Sequence, residues 1–145
     1  MTVLSLNKRL SYSRQQLFNL VADVENYPSF VPGILKTKVI PLDAFQFQSE
    51  VFFGNRIFQE RYTCLVKLDP FHQIHTDSIQ GPFQHLKSQW SFYDAQGGEQ
   101  TDVQFKIDFI FKNKFIQRLA QPFFQDLPKV MMQAFEEQAK KLYGI

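Results

Sequence analysis

The chain lacks most of the features by which protein classes declare themselves. Its one cysteine, Cys64, has no internal partner, so a disulfide framework is excluded and a reducing, cytoplasmic setting is the default expectation. Net charge is +2 over 145 residues, with acids and bases interspersed, so no block of like charge announces a nucleic-acid or membrane partner, and no DNA partner is assigned. Wholly apolar runs are only a few residues long, against the roughly 20 residues a membrane-crossing helix needs. Any membrane association is therefore expected to be peripheral. The opening residues, MTVLSLNKRL, alternate like a strand and do not follow the pattern of a secretion signal. Length and average composition predict a single domain over 1–145.

Signatures of catalysis are missing as well. There is no Gly-rich phosphate loop, no His-Glu-x-x-His pair, no Cys-x-x-Cys and no Gly-x-Ser-x-Gly elbow. His72 and His75 border a turn and lack the further clustered ligands a metal site recruits, so surface histidines are the expectation and no metal is assigned. Cys64 falls among apolar neighbours without a basic partner, which predicts a buried, inert thiol. Strand parity with Tyr62 and Cys64 turns Glu60 inward, making it the single candidate acid or base, with solvation at a strand end as the plainer alternative. Asp108 shares a face with Lys106 and Gln104 and reads as solvent-facing, and Lys36, Thr37 and Lys38 read as a small basic edge.

What the chain has in excess is phenylalanine: 17 residues in a sequence that is 16% aromatic. Residues 2–10 read as a strand, and Ser13 with Gln16 resembles a capping box for a helix bearing Leu17, Leu20, Val21 and Val24 on one face. Pro28 is expected to end that helix near Asn26. The segment DVENYPSFVP (23–32) then forms a stiff apolar connection carrying Tyr27, Phe30 and Val31.

From Ile34 to Lys112, turn signals at Pro41-Leu42-Asp43, Gly54-Asn55, Asp69-Pro70, Gly81-Pro82 and Gly97-Gly98 divide the chain into consecutive antiparallel strands. Period-two alternation collects four inward rows: Phe45, Phe47, Val51, Phe53; Tyr62, Cys64, Val66, Leu68; Leu86, Trp90, Phe92; and Val103, Phe105, Ile107, Phe109, Phe111. After Asn113 the period becomes helical, with Ile116, Leu119, Ala120, Phe123, Leu127, Val130, Met131, Ala134 and Phe135 as the stripe. Pro122 and Pro128 predict a kink or break in that long helix. The expected architecture is α+β: a curved antiparallel sheet of six or seven strands wrapped around a long C-terminal helix.

The motifs YSRQQLFNLVADVENYPSFVP (12–32), FQERYTCLV (58–66), GPFQHLKSQW (81–90) and a helix ending KKLYG (140–144) resemble the coenzyme Q-binding protein family of START-like domains. That family includes bacterial ribosome association toxins. The resemblance implies a helix-grip fold with a hydrophobic tunnel between sheet and helix, and non-enzymatic binding of ubiquinone or a similar prenyl lipid in support of respiration. Ubiquinone would then be a ligand and no cofactor is implied. Tyr27, Pro28, Phe30, Val31 and Pro32 map to the tunnel mouth, and Phe83, Leu86 and Trp90 to the sheet. With the inward rows and the helical stripe, the expected ligand contacts are Tyr27, Pro28, Phe30, Val31, Phe47, Phe53, Tyr62, Leu86, Trp90, Phe105, Phe109, Phe123, Leu127 and Met131. A lipid-binding role would bring the protein to the periphery of the inner membrane.

Two other roles stand beside this one. A toxin of the same family would bind the large ribosomal subunit, with Lys36, Lys38 and Arg61 as its local basic patch. A cyclase-like enzyme would use Glu60. For the lip at 23–32, plugging the core and gating a ligand are both consistent with its apolar side chains.

Overall fold

The structure, a computed structural model, describes residues 2–144. Its chain order is β1 (Thr2–Leu10), α1 (Arg14–Ala22), a 3₁₀ helix (Val24–Ser29), then β2 (Ile34–Asp43), β3 (Gln46–Gly54), β4 (Gln59–Asp69), β5 (Gln73–Gln80), β6 (Phe83–Ala95) and β7 (Gln100–Phe111). Two helices follow, α2 (Lys114–Gln125) and α3 (Leu127–Tyr143). The seven strands form one antiparallel sheet in the order β1-β7-β6-β5-β4-β3-β2. It is a meander from β2 to β7 whose last strand also pairs with the first. Register shifts between Thr63 and Cys64 and between Phe83 and His85 mark bulges, which bend a sheet and raise its twist. The inner face closes over α3: Trp90 on β6 and Phe135 on α3 meet edge-to-face at 5.2 Å.

Local rules account for the start of the fold. Ser13 caps α1, accepting from the Gln16 amide at 3.2 Å while Gln16 accepts from the Ser13 amide at 3.0 Å, the reciprocal satisfaction of two orphan donors. The helix is shorter than expected and ends at Ala22, because the following residues tighten into the 3₁₀ helix that contains Pro28. Tyr27 donates its hydroxyl hydrogen bond to the Val21 carbonyl, and Thr37 on β2 donates to the Val24 carbonyl at 3.0 Å. The lip is thus held from both sides. Thr37 is not part of a basic edge: its side chain turns toward the lip while Lys36 and Lys38 are exposed.

The expected turn at Pro41-Leu42-Asp43, the inward placement of Phe45 and the phase of the C-terminal stripe are corrected, while the break expected near Pro128 is found. Pro41-Leu42-Asp43 is not a turn but the end of β2, an edge strand with a register shift at Pro41/Asp43; proline is tolerated there because no outer neighbour needs its missing N–H. The turn therefore falls at Ala44 and Phe45, leaving Phe45 54% exposed and outside the inward row of β3. At the C-terminus the chain makes two helices, broken at Asp126, with Pro128 in the first turn of α3, where its absent N–H costs nothing. The buried face is rotated from the expected stripe: Phe124 and Met132 are fully buried, Phe123 and Val130 only partly, and Leu119 is exposed.

Candidate functional site

Large and small side chains are segregated along the inner face of the sheet. Toward α2, aromatic rings fill the space. Phe124 is the hub: it lies 5.0 to 6.4 Å, centroid to centroid, from Phe123, Phe53, Phe83, Phe109, Phe111 and Tyr62. Phe123 also stacks on Phe53 at 5.1 Å. Its ring occupies the position where a Cβ on Gly33 would sit, 2.1 Å away, and Gly33 has φ +84; glycine is the residue suited to that approach.

Toward the middle of the sheet the inward rows lose their bulk. Ser49 follows Phe47 and precedes Val51 on β3, opposite Cys64 on β4; Thr76 on β5 lies opposite Ser88 on β6. Four consecutive strands thus place a small, weakly polar side chain in the inner layer, and a hollow of about 80 Å³ opens above them. Leu86, Trp90, Phe105 and Ile107 wall it from the sheet, Leu127 and Met131 from α3, and Val21, Val24 and Tyr27 from α1 and the lip. Ser49 is buried. Among the described residues the wall is hydrocarbon, ring faces, three hydroxyl-bearing small residues, two phenols and a thiol, with no charged side chain on it.

Of the expected ligand contacts, Tyr27, Tyr62, Leu86, Trp90, Phe105, Leu127 and Met131 lie around this hollow. Pro28, Phe30 and Val31 belong to the lip instead. Phe30 touches Tyr27 at 6.1 Å and Phe135 at 5.4 Å, so the lip closes down on α3. Phe53, Phe109 and Phe123 sit in the filled aromatic half, and Phe47 is buried one step along β3 from Ser49. The small residues Ser49, Thr76 and Ser88 were missed by a reading that looked for aromatics. Their signal was legible as polar interruptions at even spacing within apolar rows.

Glu60 keeps its inward parity, opposite Phe53, but at the beginning of β4, where its carboxylate accepts from the Arg61 amide at 3.0 Å. It does not line the hollow. Asp108 is not simply solvated: it is half-buried on the outer face, with one carboxylate oxygen 3.3 Å from His85 Nε2. His72 Nδ1 lies 3.0 Å from the Pro70 carbonyl and His75 Nε2 is 2.9 Å from Gln73 Oε1, and among the described residues no three metal-ligating side chains converge.

Burial governs the titratable groups around the hollow. It pushes the Cys64 thiol from an ordinary 9.0 up to about 12, with Asp77 adding in the same direction. It also holds the Tyr27 and Tyr62 phenols far above their ordinary range. All three stay protonated at neutral pH. Because the folded state holds these protons more tightly than the unfolded chain, their contribution to stability is complete below pH 9.0 and is lost as pH climbs toward about 12. Urea midpoints should therefore be level between pH 7 and 9 and fall steadily above; a level profile through pH 12 would contradict the burial of these groups.

A meandering seven-stranded sheet closed on a C-terminal helix, with a hollow between them, defines a START-like helix-grip domain. The chain belongs to the polyketide cyclase/dehydrase and lipid transport family, whose model matches residues 10–136. It is 34% identical over 143 residues to "Coenzyme Q-binding protein COQ10 homolog B, mitochondrial" of Xenopus laevis, covering 97% of this chain and 59% of that relative. The chain thus spans somewhat over half of that protein's length. It is 29% identical over 144 residues to "Ribosome association toxin RatA" of Escherichia coli K12, covering 99% of this chain and 90% of the relative. The solution structure of an 18 kDa protein from Caulobacter crescentus superposes with a TM-score of 0.77 at 28% identity, covering 100% of both chains.

Proposed function

We propose that the protein is a non-enzymatic carrier or chaperone of a prenyl lipid with a polar ring, of which ubiquinone is the chemical type. One observation carries the reading: the inner face of the sheet exchanges its rings for Ser49, Cys64, Thr76 and Ser88 where the chain encloses a hollow. Apolar walls with a few polar groups are what a ligand of this kind requires. The hydroxyls can donate to a ring carbonyl, while ring faces and aliphatic groups cover the tail at roughly 25 cal/mol per Å² of apolar area. Similarity to a coenzyme Q-binding protein supports the same ligand class.

The absence of charge on the wall argues against proton-transfer chemistry in this space. A general acid or base works best with a pKa near the operating pH, and burial has moved the Cys64 thiol up to about 12. Although the family's description includes cyclases and dehydrases, the hollow here has no carboxylate or imidazole to play their part.

The hollow, about 80 Å³, is smaller than the roughly 300–1,000 Å³ of a small-molecule pocket. Loading therefore requires the wall to move. The lip is part of the cover: it meets α3 through ring contacts of Phe30 and Tyr27 with Phe135 and is held to α1 and β2 by the Tyr27 and Thr37 hydrogen bonds, so opening there has to break those contacts. Organic extraction of the purified protein followed by mass spectrometry tests the proposal. Ubiquinone or a related prenyl lipid should be recovered in stoichiometric amount after incubation with ubiquinone-loaded micelles. Recovery of none would sink it.

The match to a ribosome association toxin over 90% of its length supports a second reading, in which the surface binds the large ribosomal subunit. Sucrose-gradient profiles after overexpression separate the two. Accumulation of free subunits supports the toxin, whereas an unchanged profile with quinone recovery supports the carrier.

A further inference from the structure

The strongest unassigned surface is at the α2 end of the molecule. The helix has a wider apolar arc than the core uses: Ala120 and Phe124 are buried and Ile116 partly so, while Phe115 is 70% and Leu119 39% exposed. Pro122 is exposed in the same direction, one turn beyond Leu119. The stripe continues to Phe123, about 12 Å along the axis from Phe115, and Phe123 stacks on Phe53, which in turn meets Phe58 at 6.4 Å. Next to Phe58, in the β3–β4 loop, Ile57 is 94% exposed. Apolar residues of helix and loop thus rim one end of the fold.

Charge on this rim is mainly basic, with Asp126 at the end of α2 and Glu60 at the start of β4 as its acidic neighbours. Residues 110–125 contain Lys112, Lys114 and Arg118 and no aspartate or glutamate, and the loop adds Arg56. All four are exposed. On the helical wheel Arg118 and Lys114 flank the Phe115–Leu119 ridge on the side away from the core. An apolar ridge edged by basic residues is the arrangement of helices that lie in a bilayer interface: the ridge enters the acyl boundary and the basic flank meets anionic headgroups. RNA phosphates would reward the charges but leave Ile57 and Phe115 in water.

We propose that this end of the molecule, α2 with the β3–β4 loop, docks on an anionic lipid membrane. The inference does not depend on what the hollow holds. The surface adjoins the aromatic half of the interior, so docking would set that end of the fold against the bilayer.

Flotation with phosphatidylcholine vesicles, with and without phosphatidylglycerol, tests it on the full chain. The protein should float with the anionic vesicles and not with pure phosphatidylcholine. Raising salt should weaken binding. Lys114→Glu with Arg118→Glu should weaken binding by at least fivefold per residue, the effect of about one charge contact each. Ile57→Glu with Phe115→Glu should abolish flotation; both positions are exposed, and unchanged melting curves will verify folding. Uptake of ubiquinone from detergent micelles should be unaltered in every variant, which separates failure of the docking surface from failure of the hollow. The proposal is overturned by absence of flotation with anionic vesicles, by equal flotation of wild type and both variants, or by co-sedimentation of the wild type with ribosomes that Lys114→Glu with Arg118→Glu loses while its flotation persists.

Discussion

Replacing Ser49 with leucine is expected to abolish prenyl-lipid binding while leaving the protein folded. The side chain is buried on the inner face of β3 and borders the hollow of about 80 Å³. A leucine there grows into empty space, so the usual penalty of about 1–3 kcal/mol for overpacking a filled core should be largely offset by new apolar contact. Ligand and leucine then compete for one volume, and the expected loss of affinity is at least about a hundredfold, equivalent to ~2.7 kcal/mol. Ser49→Ala keeps the room and removes only the hydroxyl. Its cost should be about fivefold, the worth of one ordinary hydrogen bond. Fluorescence titration with a short-chain ubiquinone, using Trp90 in the wall as reporter, measures both variants. Unchanged affinity of a folded Ser49→Leu protein would show that the ligand sits elsewhere.

Phe124→Ala should produce the largest loss of stability of any single truncation in the aromatic half. Phe124 is fully buried and its ring meets six others. Removing such a ring typically costs about 3–5 kcal/mol, since the surrounding rings cannot collapse fully into the space. For a chain of this size that corresponds to a fall in Tm of roughly 10–15 °C. The neighbouring Phe123→Ala should cost distinctly less, because Phe123 is partly exposed and packs mainly on Phe53 and Gly33. Thermal unfolding followed by circular dichroism gives both values. Equal losses would mean that the hub does not lie at Phe124.

These two residues also show where sequence reading succeeds and where it stops. The rows of β4, β6 and β7 were legible because alternation is a local property: Val103, Phe105, Ile107, Phe109 and Phe111 are all buried as their spacing predicts. The capping box at Ser13 and Gln16 was equally local. Phe124 was not assigned to the core, because the stripe drawn through Ile116, Leu119, Ala120 and Phe123 placed its neighbour inward instead. Pro128 announced the break, but the helical period could not show which of two adjacent phenylalanines the aromatic cluster takes up. Phe45 failed for a different reason: β2 runs on to Asp43, so the turn takes up Ala44 and Phe45 and the inward row of β3 begins at Phe47 with its expected parity. Ser49, Thr76 and Ser88 were visible as letters but not as a group. They form one patch only through pairings across β3, β4, β5 and β6.

By itself the sequence determined the order of elements, the inward rows and the apolar lip, and its motifs carried the family resemblance. Those are properties of residue spacing along one chain, governed by the periods of strand and helix. Only the tertiary structure decided that rings pack the inner face toward α2 while a hollow of about 80 Å³ opens over its middle, that Glu60 stands away from that hollow, and that the β3–β4 loop reaches α2 through Phe58, Phe53 and Phe123. These depend on strand register, helix rotation and the contacts between distant segments, which no local period encodes.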